Sequence, residues 1–234
     1  DQTQLILKVL KDSGANVVSI ICDNNRVNQS FFKKFSCVEN WLTDNNIYLL
    51  FDFVHLMKSV RNNWITEKTQ ELVFEEESET LTAKWKDLVN LYNLEKNHTV
   101  KLSRLSEETA DPKPVERQKV STCLQTFSDE TIHALKNHPN ITDAHGTICF
   151  LEKFVKFGMI LKFKGLNAGT RFRDPERALM SSDDDSRLNF LLDIAKMANS
   201  MMTEKQGKRQ KQLTKDTARA LSHTCKGLVD LTKR

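Results

Sequence analysis

Two aspartates stand where a carboxylate can do chemistry. Asp23 follows the β-branched, apolar run "VVSIIC" (Val17 to Cys22) and is followed by Asn24, Asn25 and Asn28, while Asp52 closes the run "NIYLLF" in the same way. An aspartate at the C-terminal end of a parallel strand sits where open α/β sheets gather ligands and catalytic groups. The same residue type accepts hydrogen bonds from free backbone N–H groups at a turn or a helix start. Residue type and spacing leave both readings open for each aspartate, metal ligand or cap.

Beside Asp52 runs a mixture of cations and amides: His55, Lys58, Arg61, Asn62 and Asn63. Lys58 and Arg61 suit DNA phosphates on one reading and ion pairs at a sheet edge on the other. A second basic stretch, Lys205, Lys208, Arg209, Lys211 and Lys215, fits a phosphate backbone or a solvated helix face. Other chemistries are excluded by spacing. His133, His138 and His145 lack metal-ligand partners, and the five scattered cysteines form no CxxC pair, which argues against zinc. Neither GxxxxGK[ST] nor GxGxxG occurs, so the standard phosphate-cradling loops are missing.

The elements that must position these residues follow from periodicity. "QTQLILKVLKDSG" places Leu5, Ile6, Val9 and Leu10 at helical spacing and stops at Gly14. Val17 to Cys22 and Asn46 to Phe53 read as buried strands, with a short helix over "RVNQSFFKKF" between them. After the second strand, Leu56, Val60 and Trp64 share one helical face with Met57 and Arg61 beside it. The order helix, strand, helix, strand, helix predicts an α/β unit with parallel pairing over residues 1–65. From about Thr66 the strand signals stop. "LTAKWKDLVNLYNLEK", "RQKVSTCLQTFSDETIHALKNH", "GTICFLEKFVKFGMILKF" and "SRLNFLLDIAKMANSMM" each read as one helix, and a basic linker from 205 runs into a last amphipathic helix.

The composition sets wider bounds. A 234-residue chain suits two unequal domains or one domain with a large insertion. A formal net charge of +4 permits a polyanionic partner without requiring one. No apolar run reaches the roughly 18 to 20 residues of a membrane span, and the odd number of scattered cysteines fits a reduced intracellular compartment. Asp1 opens directly into a helix without an initiator methionine, so the chain reads as a piece of a longer one.

At "ICDNNRVNQSFF" followed by "YLLFDFVHLMKSVRNNW" the sequence resembles the P-element transposase family, including the THAP-type transposase-derived proteins. The family pattern D-x-x-H-L-x-K-x-x-R-N-N is met at Asp52, His55, Leu56, Lys58, Arg61, Asn62 and Asn63. The resemblance implies an α/β plus mainly α architecture: the fourth and fifth strands of an RNase H-like catalytic domain (1–65), a helical GTP-binding insertion domain (66–204), and a basic linker and helix leading back (205–234). It implies DNA cleavage and strand transfer in a nuclear nucleoprotein complex, by two Mg²⁺ ions held between three carboxylates. Asp23 matches the second of these. The first is expected on a strand upstream of Asp1 and the third, a glutamate, on a helix beyond Arg234, so the 234 residues alone are expected neither to cut nor to join DNA. In the insertion, Lys119, Val120 and Ser128 match positions that line the guanine nucleotide. The base-reading motif Phe-Asp-x-x-Asn is degraded here, because Phe157 is followed by Gly158 and, at the asparagine position, Leu161. Each hydrogen bond so lost is worth about 0.5 to 1.5 kcal/mol net. That loss favours a rival reading, a domesticated, non-catalytic DNA- or chromatin-binding protein, whereas retention of Asp23 favours the enzyme.

Overall fold

The computed structural model describes residues 2–35, 43, 46–162, 169, 171, 173–180, 185–202 and 212–234. The basic stretch from Lys205 to Lys211 lies outside them, as do Cys37, Asp183 and Asp184. Helix α1 (Gln2–Asp12) ends where Gly14 takes a φ of +84°, the left-handed backbone that glycine adopts without a Cβ penalty. Strand β1 (Ser19–Cys22), helix α2 (Arg26–Phe35), strand β2 (Tyr48–Phe51) and helix α3 (Phe53–Thr66) come next. The strands pair in parallel, Ser19 opposite Tyr48 through Cys22 opposite Phe51. A crossover through a helix is what parallel pairing demands, and α2 supplies it, burying Phe32 against Phe51 with ring centroids 5.0 Å apart.

The strand signals do not stop at Thr66. Residues Glu71–Glu76 (β3) and Glu79–Lys84 (β4) form an antiparallel hairpin, so helix α4 begins at Trp85 rather than near Leu81 and runs to Glu95. The turn pair Glu77 and Ser78 has φ of 46° and 74°. A two-residue turn with both φ positive matches strand twist, and Asn-Gly is its usual signal; Glu-Ser carries none. Alternation is nonetheless present in β3, where Leu72 and Phe74 face the core.

Further helices include α5 (Glu107–Ala110), α6 (Val120–Thr126), α7 (Asp129–Asn137), α8 (His145–Leu161), α9 (Ser186–Ser200) and α10 (Lys215–Thr232). The sequence expectation of a single helix from Arg117 to His138 fails at Phe127, because Ser128 takes an extended backbone and its hydroxyl accepts the Thr131 amide at 3.3 Å. A serine there caps a new helix more favourably than it continues an old one.

One core joins these elements except α1, which buries no residue and leaves Leu5, Ile6, Val9 and Leu10 exposed. Trp64 of α3 stands edge-on to Trp85 and to Phe150 of α8, at 5.0 and 5.1 Å, and each indole N–H finds a carbonyl, Ala83 for Trp64 and Ala110 for Trp85. Such aromatic pairs are worth about 0.5 to 1.5 kcal/mol beyond burial. Phe154 and Phe157 extend the cluster along α8. Helix α10 packs on α9 and lies along β2, and it closes that strand's outer edge: Phe51 N–H donates to Thr224 Oγ1 at 3.1 Å, and His223 Nε2 lies 2.8 Å from the Leu49 carbonyl oxygen. Covering an edge in this way satisfies backbone groups that would otherwise invite another strand.

Candidate active site at the strand ends

The backbone ladder continues one residue past the strands. Asp52 N–H donates to Cys22 O at 2.7 Å, so Asp23 and Asp52 leave adjacent parallel strands side by side, roughly 4.8 Å apart in backbone spacing. Their side chains then do different things. Asp52 takes an extended backbone and its Oδ1 accepts the His55 amide at 2.9 Å, the N-cap of α3.

Asp23 caps nothing. The start of α2 is served by Asn25, whose Oδ1 accepts the Asn28 amide at 2.8 Å. The Asp23 carboxylate instead receives side-chain amides: Asn25 Nδ2 at 2.8 Å and Asn28 Nδ2, both on Oδ1, with Asn28 Nδ2 also 3.1 Å from the Asp23 carbonyl. Two amides on one oxygen orient the carboxylate and leave Oδ2 uncommitted among the described residues. Next to it, the Cys22 thiol is pushed up to about 12, first by burial and then by the charge of Asp23, so it stays protonated and is no nucleophile at neutral pH.

These residues do not by themselves fit a two-metal centre. Such a centre needs several carboxylates around both ions, and among the described residues no group of three or more His, Cys, Asp or Glu comes together. Of the two strand-end carboxylates, Asp52 spends one oxygen on the cap of α3, whereas Asp23 caps no helix and is held only by side-chain amides on Oδ1.

Of the cations after Asp52, Arg61 faces the interior of the protein while Lys58 stays half-exposed. Arg61 is 1% exposed. Its guanidinium donates to Thr122 Oγ1 (2.7 Å), the Arg117 carbonyl (2.6 Å) and Asn62 Oδ1 (3.0 Å), and Asn62 Nδ2 reaches the same Arg117 carbonyl at 3.2 Å. Burial lowers its pKa from the ordinary range. Lys58 Nζ donates to Gln118 O at 3.3 Å. The expectation that Arg61 faces DNA phosphates, or pairs with a carboxylate at the sheet edge, gives way to a fork of donors that holds the turn at Glu116–Gln118.

Of the three positions that the resemblance assigned to the nucleotide, Lys119 and Ser128 are engaged locally. Lys119 pairs with Glu108 at 2.6 Å, which raises its pKa. Ser128 caps α7 and donates to Gln125 O at 3.0 Å. Val120 opens α6 and is partly exposed. Gly158 faces α3: a Cβ built there would lie 3.4 Å from Met57 Cε and Sδ, and Met57 is itself buried.

A family model for the TNP-like, GTP-binding insertion domain matches residues 54–171, half of the chain. The chain belongs to the P-element transposase-like family. The fold agrees: a solved structure, the Drosophila P element transposase strand transfer complex, superposes with a TM-score of 0.75 at 18% identity, covering 97% of this chain and 50% of that one. The chain thus spans half the length of the transposase it matches. No curated protein matches the sequence. As a member of this family the chain combines a two-stranded parallel unit, a hairpin and a helical body, and among the described residues no helix is long and apolar enough to cross a membrane.

Proposed function

We propose that the chain is part of a P-element-like DNA transposase in which Asp23 holds a catalytic metal ion. The observation that carries this reading is the division of labour between the two strand-end aspartates. Asp52 caps α3, whereas Asp23 is freed from capping by Asn25 and steadied by two amides on one oxygen. On this reading residues 1–65 and the last helix belong to an RNase H-like domain, and residues 66–204 form the insertion within it. Mg²⁺ would supply activation of the attacking oxygen and charge neutralisation at the leaving one. The further carboxylates come from sequence outside these 234 residues, the substrate is the DNA of transposon ends, the protein assembles on it, and the setting is the nucleus. DNA cleavage by the intact protein, with and without Asp23→Asn, tests the reading.

A second reading rests on the insertion. Gly158 looks onto buried Met57 rather than carrying an acidic base reader, and Lys119 is matched by Glu108. Both support a protein that keeps the family's architecture without its guanine nucleotide, as a domesticated DNA-binding descendant would. Calorimetry with GTP separates the two states of the insertion. The cleavage assay separates the enzyme from its descendant.

A further inference from the structure

The run Lys58-x-x-Arg61-Asn62-Asn63 looks, from its composition, like a nucleic-acid contact placed next to a catalytic strand. Its side chains point elsewhere. Asn63 Oδ1 accepts the Thr214 amide at 2.6 Å, across 151 residues of sequence. Thr214 is the N-cap of α10, its hydroxyl accepting the Thr217 amide. The point where the chain leaves α3 and the point where it returns into α10 are therefore fastened to each other.

The other end of the run grips the near side of the helical body. Arg61 and Asn62 converge on one carbonyl, that of Arg117, and Arg61 also holds Thr122, while Lys58 holds the Gln118 carbonyl. Thr122 in turn donates toward the Glu116 and Lys119 carbonyls at 3.1 and 3.0 Å. A buried guanidinium needs several acceptors to offset its lost hydration, and here they are the Arg117 carbonyl and the Thr122 hydroxyl of the helical body and one neighbouring amide, Asn62. From Thr214 the path continues along α10 to Thr224, which receives the Phe51 amide one residue before Asp52.

We propose that Arg61, Asn62 and Asn63 are positioning residues that fasten the helical body at Arg117 and Thr122, and the returning chain at Thr214, to the helix that starts at Asp52, and thereby fix the β2 edge at Phe51, on the strand paired with the one that carries Asp23. The proposal rests on the reading of Asp23 only in naming that edge as the catalytic one. The fastening itself is measured in the 234-residue chain with neither metal nor DNA, so the two can fail separately.

The test is residue-resolved amide exchange of the intact chain and four variants. Asn63→Ala should speed exchange of the Thr214 and Phe51 amides about fivefold, the effect of losing one hydrogen bond of ordinary net strength, while α7 is unchanged. Asn63→Asp, which keeps the acceptor, should restore both. Arg61→Lys keeps the charge but loses the fork and should loosen α6, and Asn62→Ala should do the same more mildly if the Arg61 variant does not fold. Unchanged exchange at Thr214 and at α6 would overturn the proposal, and so would an equal rise in every element including α7.

Discussion

The amide of Asp52 donates to the carbonyl of Cys22 at 2.7 Å, which extends the parallel ladder beyond both strands and sets Asp23 and Asp52 next to each other. Two aspartates in matching positions nonetheless have different work. The difference lies in how far each stands from the next helix. Phe53 begins a helix immediately after Asp52, so the capping position falls on the aspartate itself. Asp23 is separated from α2 by Asn24 and Asn25, and the capping position falls on Asn25. Asp52→Asn should accordingly leave thermal stability within about 0.5 kcal/mol of the parent, since asparagine and aspartate are comparable N-caps, whereas Asp52→Ala should lose about 1 kcal/mol. Denaturant melts of the three proteins check this.

The hairpin turn is under backbone strain. Glu77 and Ser78 both adopt positive φ, which costs an L-residue roughly 1 to 2 kcal/mol. Replacing the pair with Asn-Gly, the sequence that this turn geometry favours, should raise the unfolding free energy by about 1 kcal/mol without changing the fold. An unchanged or lowered denaturation midpoint would contradict the turn assignment.

Much of the first 65 residues was legible in the sequence, because strands of β-branched and aromatic residues, the stop at Gly14 and the apolar face Leu56, Val60, Trp64 follow from local physics; the expected burial holds for β2 but not for β1, where Ile21 is 60% exposed. The hairpin was hidden because its turn uses Glu-Ser and its strands are rich in glutamate. The break at Ser128 was hidden because a capping serine and a mid-helix serine look alike until the chain turns. Arg61 was the least legible: burial of a guanidinium depends on acceptors at 117 and 122, which no pattern near residue 61 announces. The family pattern singles out Asp52, Arg61, Asn62 and Asn63, and geometry shows what each of them touches.

Stability should fall on mild acidification through His223. Burial, the largest cause, lowers its pKa below the ordinary 6.5, outweighing the Leu49 hydrogen bond. The unfolded chain therefore binds the proton first, so stability is fully present above pH 6.5 and is lost as pH drops from there through the lower folded value. The thermal midpoint should decline from pH 7 to pH 5 more steeply than in His223→Gln. Parallel profiles would remove His223 as the cause.

GTP titrated into the chain should give no saturable heat, with ATP behaving the same. The reason is local: the position expected to read the base is Gly158 against Met57, and Lys119, expected on the phosphate, is engaged by Glu108. Saturable heat with GTP alone, abolished by Lys119→Ala, would show that this insertion reads guanine through other groups.

Whether Asp23, and not its neighbour, is the metal-binding carboxylate is decided by DNA-end cleavage with Mg²⁺ in the intact, full-length protein carrying either Asp23→Asn or Asp52→Asn, with folding verified in each. Asp23→Asn should lose at least roughly a hundredfold, a magnitude at the upper end of what even outer-shell changes do to metal sites, and Asp52→Asn should cleave at a near-parental rate. Cleavage that survives Asp23→Asn, or is lost equally in both, would contradict the assignment of the metal to Asp23.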